Sequence, residues 1–282
     1  MIFNFNNRSY DLNARSYVMG ILNITPDSFS DGGKYYSLKP DLDKILKDAE
    51  QMQKDGADFI DVGGESSRPG AEEISISEEL DRVIPVIEKL KHVIDIPISI
   101  DTYKSGVAEE ALKAGAEIVN DISGFRFDDR IAEVTSKYNA SCILMHIKGT
   151  PKDMQINPVY DNVVDDVYNY LSESIEIAGK NKINQIIIDV GIGFGKTLKH
   201  NLELINNLKR FSEPGYPVLI GLSNKSFIDK IFPTPVNERL AGTIAGNCVS
   251  ALNGGNIFRV HNVLDNVRAL KVIDAIKAER NI

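Results

Sequence analysis

Gly56-Ala-Asp-Phe-Ile-Asp61 and Gly115-Ala-Glu-Ile-Val-Asn120 share one pattern: a glycine, a turn, a short apolar run and a polar residue at its end. Upstream of the first, Leu42, Ile45, Leu46, Ala49 and Met52 repeat at helical spacing behind Pro40, so Gly56 reads as the residue that closes a helix. The pattern is therefore helix end, turn, strand, and its recurrence points to one βα unit used again. Working outward, eight β-rich runs appear, at 17–24, 59–62, 97–101, 117–121, 141–146, 186–190, 218–222 and 256–261. Most are nearly continuous apolar stretches, as in parallel strands covered on both faces.

Helical patterns fill the gaps, at 77–91, 104–114, 129–138, 159–179, 200–211, 225–231, 236–252 and 263–280. Pro85 falls inside the first of these and predicts a kink there. Eight strands each followed by helix predict a (β/α)8 TIM barrel, an α/β fold, as one domain over 1–282. An open doubly wound sheet would usually need fewer strands or a glycine-rich first turn, and the first turn here is Thr25-Pro-Asp-Ser28. Phe3, Phe5, Tyr10 and Leu12 flank Asn6-Asn7, which predicts a short N-terminal β-hairpin lidding the N-terminal mouth of the barrel.

Composition agrees with a packed, soluble chain. Of 282 residues 43% are hydrophobic and 26% charged, enough for a large core. Lys plus Arg is 32 against 40 for Asp plus Glu, a net charge of -8. That balance argues against nucleic acid or an anionic membrane as the main partner, but not against a small anion held by a few local cations. Cys142 and Cys248 form no C-x-x-C pair, which excludes a zinc ribbon or disulfide framework. No run reaches the roughly 18–20 apolar residues that span a bilayer, and the first ten residues lack a signal-peptide core, so a cytoplasmic location is expected.

In such barrels chemistry sits at the C-terminal ends of the strands. Those ends carry Asn23, Asp61, Asp101, Asn120 with Asp121, His146, Asp189, Ser223 to Lys225, and Arg259 with His261. Any one could be a cap; eight together predict a site at that mouth. Two polar, glycine-flanked loops, 25–33 with Phe29 and Asp31 and 63–70 with Ser67 and Arg68, suit lids, and composition reads them equally as ordinary turns. Gly191-Ile-Gly-Phe-Gly-Lys-Thr197 fails the spacing of a phosphate loop; its glycines are expected to bring backbone close to a flat ligand and expose Phe194 for stacking. Four scattered histidines give no zinc signature, whereas Mg2+ held by substrate phosphates would need only an oxygen such as that of Asn23. Lys225 reads as a ligand-facing or Schiff-base lysine, because a mere charge at a helix N-terminus is disfavoured by the dipole.

The residues 20–33 and 61–71 resemble the two signature loops of the dihydropteroate synthases, a family of pterin-binding enzymes. Ser99-Ile-Asp-Thr-Tyr-Lys104, Asn120-Asp-Ile-Ser-Gly124, Met145-His-Ile-Lys-Gly-Thr-Pro151, Asp189-Val-Gly-Ile-Gly-Phe-Gly-Lys196, Ser223-Asn-Lys-Ser-Phe227 and Arg259-Val-His261 continue the resemblance over about 17–275. It implies SN1-like joining of 6-hydroxymethyl-7,8-dihydropterin diphosphate to 4-aminobenzoate, with Mg2+, in a homodimer open to sulfonamide competition. By family position Asp101, Asn120, Met145, Asp189, Phe194 and Lys225 would hold the pterin. Asn23, Arg259 and His261 would take the diphosphate, with Mg2+ on Asn23. Phe29, Ser67, Arg68, Pro69, Phe194 and Ser226 would line the aminobenzoate pocket, and Asp31 would complete the loop arrangement.

Four positions depart from the family pattern: Val190 for proline, Asn224 for arginine, Ser67 for threonine and Ile147 for methionine. Asn224 removes one positive charge near the aminobenzoate carboxylate. The rivals are a pterin-binding corrinoid-type methyltransferase, which has no reason to carry the two loops, a non-catalytic pterin-binding protein, and a lyase using Lys225.

Overall fold

In the computed structural model, residues 2–5, 8–25 and 41–279 are described. Strands β1 (Ile2–Phe5) and β2 (Arg8–Asp11) pair antiparallel, as the hairpin expectation requires; its Asn6-Asn7 turn lies outside the described residues. Strands β3 (Tyr17–Asn23), β4 (Phe59–Gly63), β5 (Ile98–Asp101), β6 (Ile118–Asp121), β7 (Ser141–Met145), β8 (Ile186–Asp189), β9 (Val218–Ile220) and β10 (Ile257–Val260) are parallel and adjacent in chain order. Strand β10 returns to β3, so the barrel is closed.

Helices α1 (Leu42–Lys54), α2 (Ile76–Leu90), α3 (Ser105–Ala114), α4 (Ile131–Lys137), α5 (Val163–Lys180), α6 (Leu198–Asn206), α7 (Leu208–Ser212), α8 (Ser226–Ile231), α9 (Leu240–Leu252) and α10 (Val263–Glu279) form the connections. Capping fixes several starts. Asp41 accepts from the Lys44 N–H at 3.2 Å, and Gly56 at φ +100° follows the end of α1 in the closing role expected of it. Asn162 caps α5, which begins at Val163 rather than at 159. Pro85 lies within α2, which continues through it to Leu90.

Two expected helices are shorter than their periodicity. The run 200–211 is α6 and α7, parted at Asn207, whose ψ of 19° leaves the helix and whose amide nitrogens close onto the Glu203 carbonyl. The run from 236 opens with a 3-10 turn, Val236–Glu238, after Pro235, and α9 starts only at Leu240.

Strand periodicity sorts the core into two layers. Outward residues such as Val18, Ile60, Ile100, Val119, Leu144, Ile188, Ile220 and Phe258 pack against the helices. Inward residues Tyr17, Met19, Phe59, Ile118, Ile143, Ile187, Leu219 and Ile257 fill the lower barrel together with Phe3, Phe5 and Leu12. Phe5 meets Phe59 edge to face with centroids 5.6 Å apart, so the hairpin plugs the N-terminal mouth. Burying Phe3 and Phe5 there contributes roughly 1.5–3 kcal/mol each by transfer.

Candidate active site

The same two-residue period changes the barrel interior from apolar to polar in one step. Two residues beyond Phe59, Ile118, Ile187 and Ile257 stand Asp61, Asn120, Asp189 and Arg259, while Met145 follows Ile143 and Gly221 follows Leu219. Register then sets their height: Asn23 pairs with Gly63, Gly63 with Asp101, Asp101 with Asn120, and Met145 with Asp189. One polar rim therefore rings the C-terminal mouth, with Asp61 beneath it.

Arg259 is the centre of that rim. Its Nε donates to Asp61 Oδ2 at 2.5 Å and its Nη2 to Asp101 Oδ2 at 2.6 Å. Asn120 Nδ2 also donates to Asp61 Oδ2, at 3.1 Å. Asp61 is fully buried, and no partner of its Oδ1 is found among the described residues. Burial pushes the Asp101 carboxyl upward against the opposing Arg259 charge, and Asp61 pushes it the same way.

Across the mouth, Asp189 Oδ1 accepts the Gly191 N–H at 2.7 Å. Burial raises its carboxyl to about 6, opposed by that hydrogen bond and by Lys225. Lys225, set immediately before α8, is lowered to about 8 by burial and by Arg259, and its Nζ lies 4.0 Å from the centre of the Phe194 ring. Phe194 itself is 7% exposed and packs with Ile122, Met145, Ile147 and Met154. The expectation of an exposed stacking ring is thus corrected: Phe194 is an apolar wall with Lys225 on its face.

The glycines of 191–195 also serve a different end from the one expected. Gly191 and Gly195 both have φ +67°, and a Cβ on Gly191 would stand 1.9 Å from the His146 carbonyl oxygen. They let this loop press its backbone on 146–148, not on a ligand. Lys196 Nζ locks the contact by donating to the Gly191 and Phe194 carbonyls at 2.8 and 2.9 Å and meeting His146 Nδ1 at 2.8 Å. Gly191→Ala should therefore cost about 1–3 kcal/mol from backbone strain alone, and more from the clash, read as a fall of several degrees in Tm.

His146 and Asp121, expected at the mouth as strand ends, have the wrong parity for it. His146 is held neutral by burial and by Lys196, its ring lowered to about 2, and Asp121 accepts from the Ser123 and Phe125 N–H groups at 2.7 and 2.9 Å. The interior positions of β6 and β7 are held by Asn120 and Met145 instead.

His261 Nδ1 meets Ser223 Oγ at 3.0 Å and Asn224 Nδ2 at 3.5 Å. Ser223 Oγ accepts the His261 backbone N–H at 3.3 Å, which leaves its hydroxyl proton to donate to Nδ1, and the tautomer that fits this arrangement carries the ring proton on Nε2. His261 is exposed at the mouth, and desolvation by the groups crowded round its ring, then the charges of Arg259, Arg68 and Lys225, lower it to about 4. Asn224 has φ +58°, a left-handed conformation that asparagine tolerates well. Ser226 is exposed at the start of the six-residue α8.

In the second loop Ser67 is half-buried, Arg68 and Pro69 are exposed, and the Gly70 N–H reaches the Pro151 carbonyl at 2.9 Å. Arg68, Asn23 and His261 also border a cavity of about 540 Å³ that runs between β3, α1 and the start of α10, to the side of the rim formed by Asp101, Asn120 and Asp189. Phe29 and Asp31 lie outside the described residues. Three groups had no assigned role in the sequence: Asp61 under Arg259, Lys196 on His146, and Lys104 between Glu65 and Glu79. Asp61 is among the strand ends read from the sequence, and its inward parity with Phe59 could have placed it beneath the rim; nothing local marks a lysine for burial.

The pterin binding enzyme family matches residues 19–261 of the chain. The chain is 48% identical to the dihydropteroate synthase of Clostridium beijerinckii over 95% of its own length and 97% of that protein. The Yersinia pestis dihydropteroate synthase, solved as a sulfonamide drug complex, superposes with a TM-score of 0.92 at 39% identity, covering 99% of this chain and 100% of that one. The Xanthomonas albilineans dihydropteroate synthase with 4-aminobenzoic acid gives 0.90 at 38% identity, covering 98% of each chain. A polar ring around Arg259 at the mouth of a closed barrel, matched along nearly its whole length, places the chain among the pterin binding enzymes, in the dihydropteroate synthase family.

Proposed function

We propose that the chain joins 6-hydroxymethyl-7,8-dihydropterin diphosphate to 4-aminobenzoate, giving 7,8-dihydropteroate and diphosphate. The observation that carries this is the polar mouth itself: Asn120 and Asp189 are buried in it, Asp101 is held there by Arg259, and Lys225 faces Asp189 across the Phe194 ring. A pterin offers a 2-amino group beside a ring N–H, two donors that one carboxylate accepts together. Asp189 is that acceptor, since Gly191 holds its Oδ1 in place; Met145 and Phe194 form the apolar wall.

The substitution breaks the C–O bond to diphosphate and forms a C–N bond to the aniline, whose nitrogen then loses a proton to solvent. The electron-rich dihydropterin carries the intervening cation, so the path is dissociative. The aniline nitrogen is neutral at pH 7 and needs positioning more than a base. His261 donates from Nε2 to a leaving oxygen, and Arg259 places a positive charge, fixed by Asp61 and Asp101, beside it. Arg68, Ser67, Pro69, Phe194 and Ser226, with Phe29 and Asp31 of the first loop, form the aminobenzoate side, where sulfonamides compete.

Among the described residues there is no group of three or more His, Cys, Asp or Glu that could hold a metal. One oxygen side chain at the rim, Asn23, fits Mg2+ carried in by the diphosphate, because that hard ion keeps phosphate and water as most of its ligands. Bound there, Mg2+ neutralises charge on the leaving diphosphate. We also read the chain as one cytoplasmic barrel domain that pairs with a second copy through α9 and α10, where Val249, Leu252, Val272 and Ile276 are exposed. The corrinoid-type methyltransferase reading is not favoured.

The test is a coupled diphosphate-release assay with the dihydropterin diphosphate, with and without 4-aminobenzoate. Dihydropteroate must form only with both; none under saturating Mg2+ would sink the reading. The pH profile is a second check. Asp189, at about 6, must be ionised to accept, and Lys225, at about 8, must be protonated, while His261, at about 4, stays neutral. kcat/KM for the pterin substrate should be bell-shaped, falling about tenfold per pH unit below about 6 and above about 8.

A further inference from the structure

A second buried ionic centre lies beside the first and, among the described residues, shares no side-chain hydrogen bond with the groups assigned to the pterin, although Tyr103 packs on the Met145 and Phe194 cluster. Lys104 Nζ donates to Glu79 Oε2 at 2.9 Å, to the Ile74 carbonyl at 2.7 Å and to Glu65. Its side chain is 7% exposed, that of Glu65 10% and that of Glu79 1%. Glu65 further accepts from the Tyr103 hydroxyl at 2.7 Å and the Ile74 N–H at 3.4 Å. These contacts have one geometric consequence. Glu65 opens the loop that carries Ser67, Arg68 and Pro69, Ile74 ends it, and Glu79 is the first turn of the helix after it. A single ammonium thus fastens both ends of the loop and the helix beyond. Arg82 of α2 supports the same end by donating to the Gly64 carbonyl at 2.8 Å. Between the fastened ends, and among the described residues, the segment 66–73 is tied to the rest of the chain by the Gly70 N–H on the Pro151 carbonyl and by the exposed Glu72–Lys152 ion pair.

We propose that Lys104 is a positioning residue for the second loop: it sets where Arg68 and Ser67 stand, and so governs use of the amine substrate but not of the pterin. The inference rests on the assignment of that loop to 4-aminobenzoate. It follows from where the charges lie. Without the ammonium, Glu65 and Glu79 are left as two acids in one dry site that must share a proton, and the donor that ties Glu65, the Ile74 carbonyl and α2 together is gone, so the ends of the loop are no longer fixed to one another. Asp101 and Asn120 are held by hydrogen bonds to Arg259 and Asp61 instead, and the Glu79 charge reaches Asp101 only through space.

The experiment is Lys104→Met, with steady-state kinetics in each substrate and amide hydrogen exchange over 64–75. KM for 4-aminobenzoate should rise about tenfold or more, the size expected for losing a charge-assisted bond, while KM for the dihydropterin diphosphate stays within about twofold. Exchange over 64–75 should quicken relative to 118–121. Equal rises in both KM values, or unchanged exchange, overturn the proposal. Should Lys104→Met not fold, as a lost melting transition would reveal, Tyr103→Phe and Glu65→Gln weaken the same centre and should shift KM in the same direction. Arg68→Ala separates the two readings. If it leaves KM for 4-aminobenzoate unchanged, the assignment of the loop fails, and exchange alone decides whether Lys104 anchors it. If Arg68→Ala raises that KM and Lys104→Met does not, the positioning role fails.

Discussion

Arg259→Met is expected to lose at least about a thousandfold in kcat/KM, as a preorganised donor at a charge-developing centre does on removal, and to be destabilised by about 3–5 kcal/mol. The stability loss comes from what remains. Asp61 has a side-chain exposure of 0% and Asp101 of 14%, and Arg259 bridges them through separate nitrogens. Methionine keeps the stem as far as the position of Nε but leaves two carboxylates facing one another, with the Asn120 amide remaining on Asp61. Such a pair takes up a proton, so in the variant the folded state binds a proton that the unfolded chain releases near pH 4. Stability of the variant should then fall as pH rises through the neutral range, and its Tm deficit against the unmodified chain should be smaller at pH 5 than at pH 8. Melting curves across that range decide it; a deficit independent of pH would mean that the carboxylates are not what Arg259 holds.

The barrel was legible because its signal is local and repeated. The recurrence of the unit at Gly56 and Gly115 needs only helix closure, a turn and a buried strand, and the closed order of β3 to β10 bears it out. The strand ends were legible as a set but not one by one. Asp121 and His146 are polar, lie at the right ends and still miss the mouth, because a one-residue change of parity turns a side chain to the helix layer. Phe194 misleads for a related reason: a glycine-rich run looks open in sequence, yet Gly191 and Gly195 are there because 146–148 lies against them. That contact joins segments far apart in the chain. The roles of Lys104 and Lys196 are invisible for the same cause, since a lysine is buried only where tertiary structure assembles acceptors around it.

Asp189→Asn should abolish measurable binding of the pterin while making the empty protein more stable at pH 7. The two effects have one origin. The pterin edge presents two donors, and the carboxylate accepts both; asparagine offers one oxygen and an NH2 that faces a donor. The amide oxygen of the variant side chain can still take the Gly191 N–H, so the loop keeps its anchor and loss of binding reports the edge, not a collapsed site. A donor set against a donor in a dry pocket gives the discrimination of about 10⁴ or more seen where a buried polar group is left unpaired. The gain in stability follows from linkage. Burial raises Asp189 to about 6 from an ordinary value of 3.8, so between those values the folded chain holds a proton that the unfolded chain has lost. Stability contributed by this group is therefore present below about pH 4 and lost as pH rises to about 6, a cost on the order of 1–3 kcal/mol at pH 7. Asparagine carries no charge and removes that slope. Calorimetric titration with the dihydropterin diphosphate and Tm measured from pH 4 to 7 test both parts. A variant that binds the pterin, or one whose Tm falls with pH as steeply as before, would show that the buried carboxylate at the end of β8 is not the group reserved for the pterin edge.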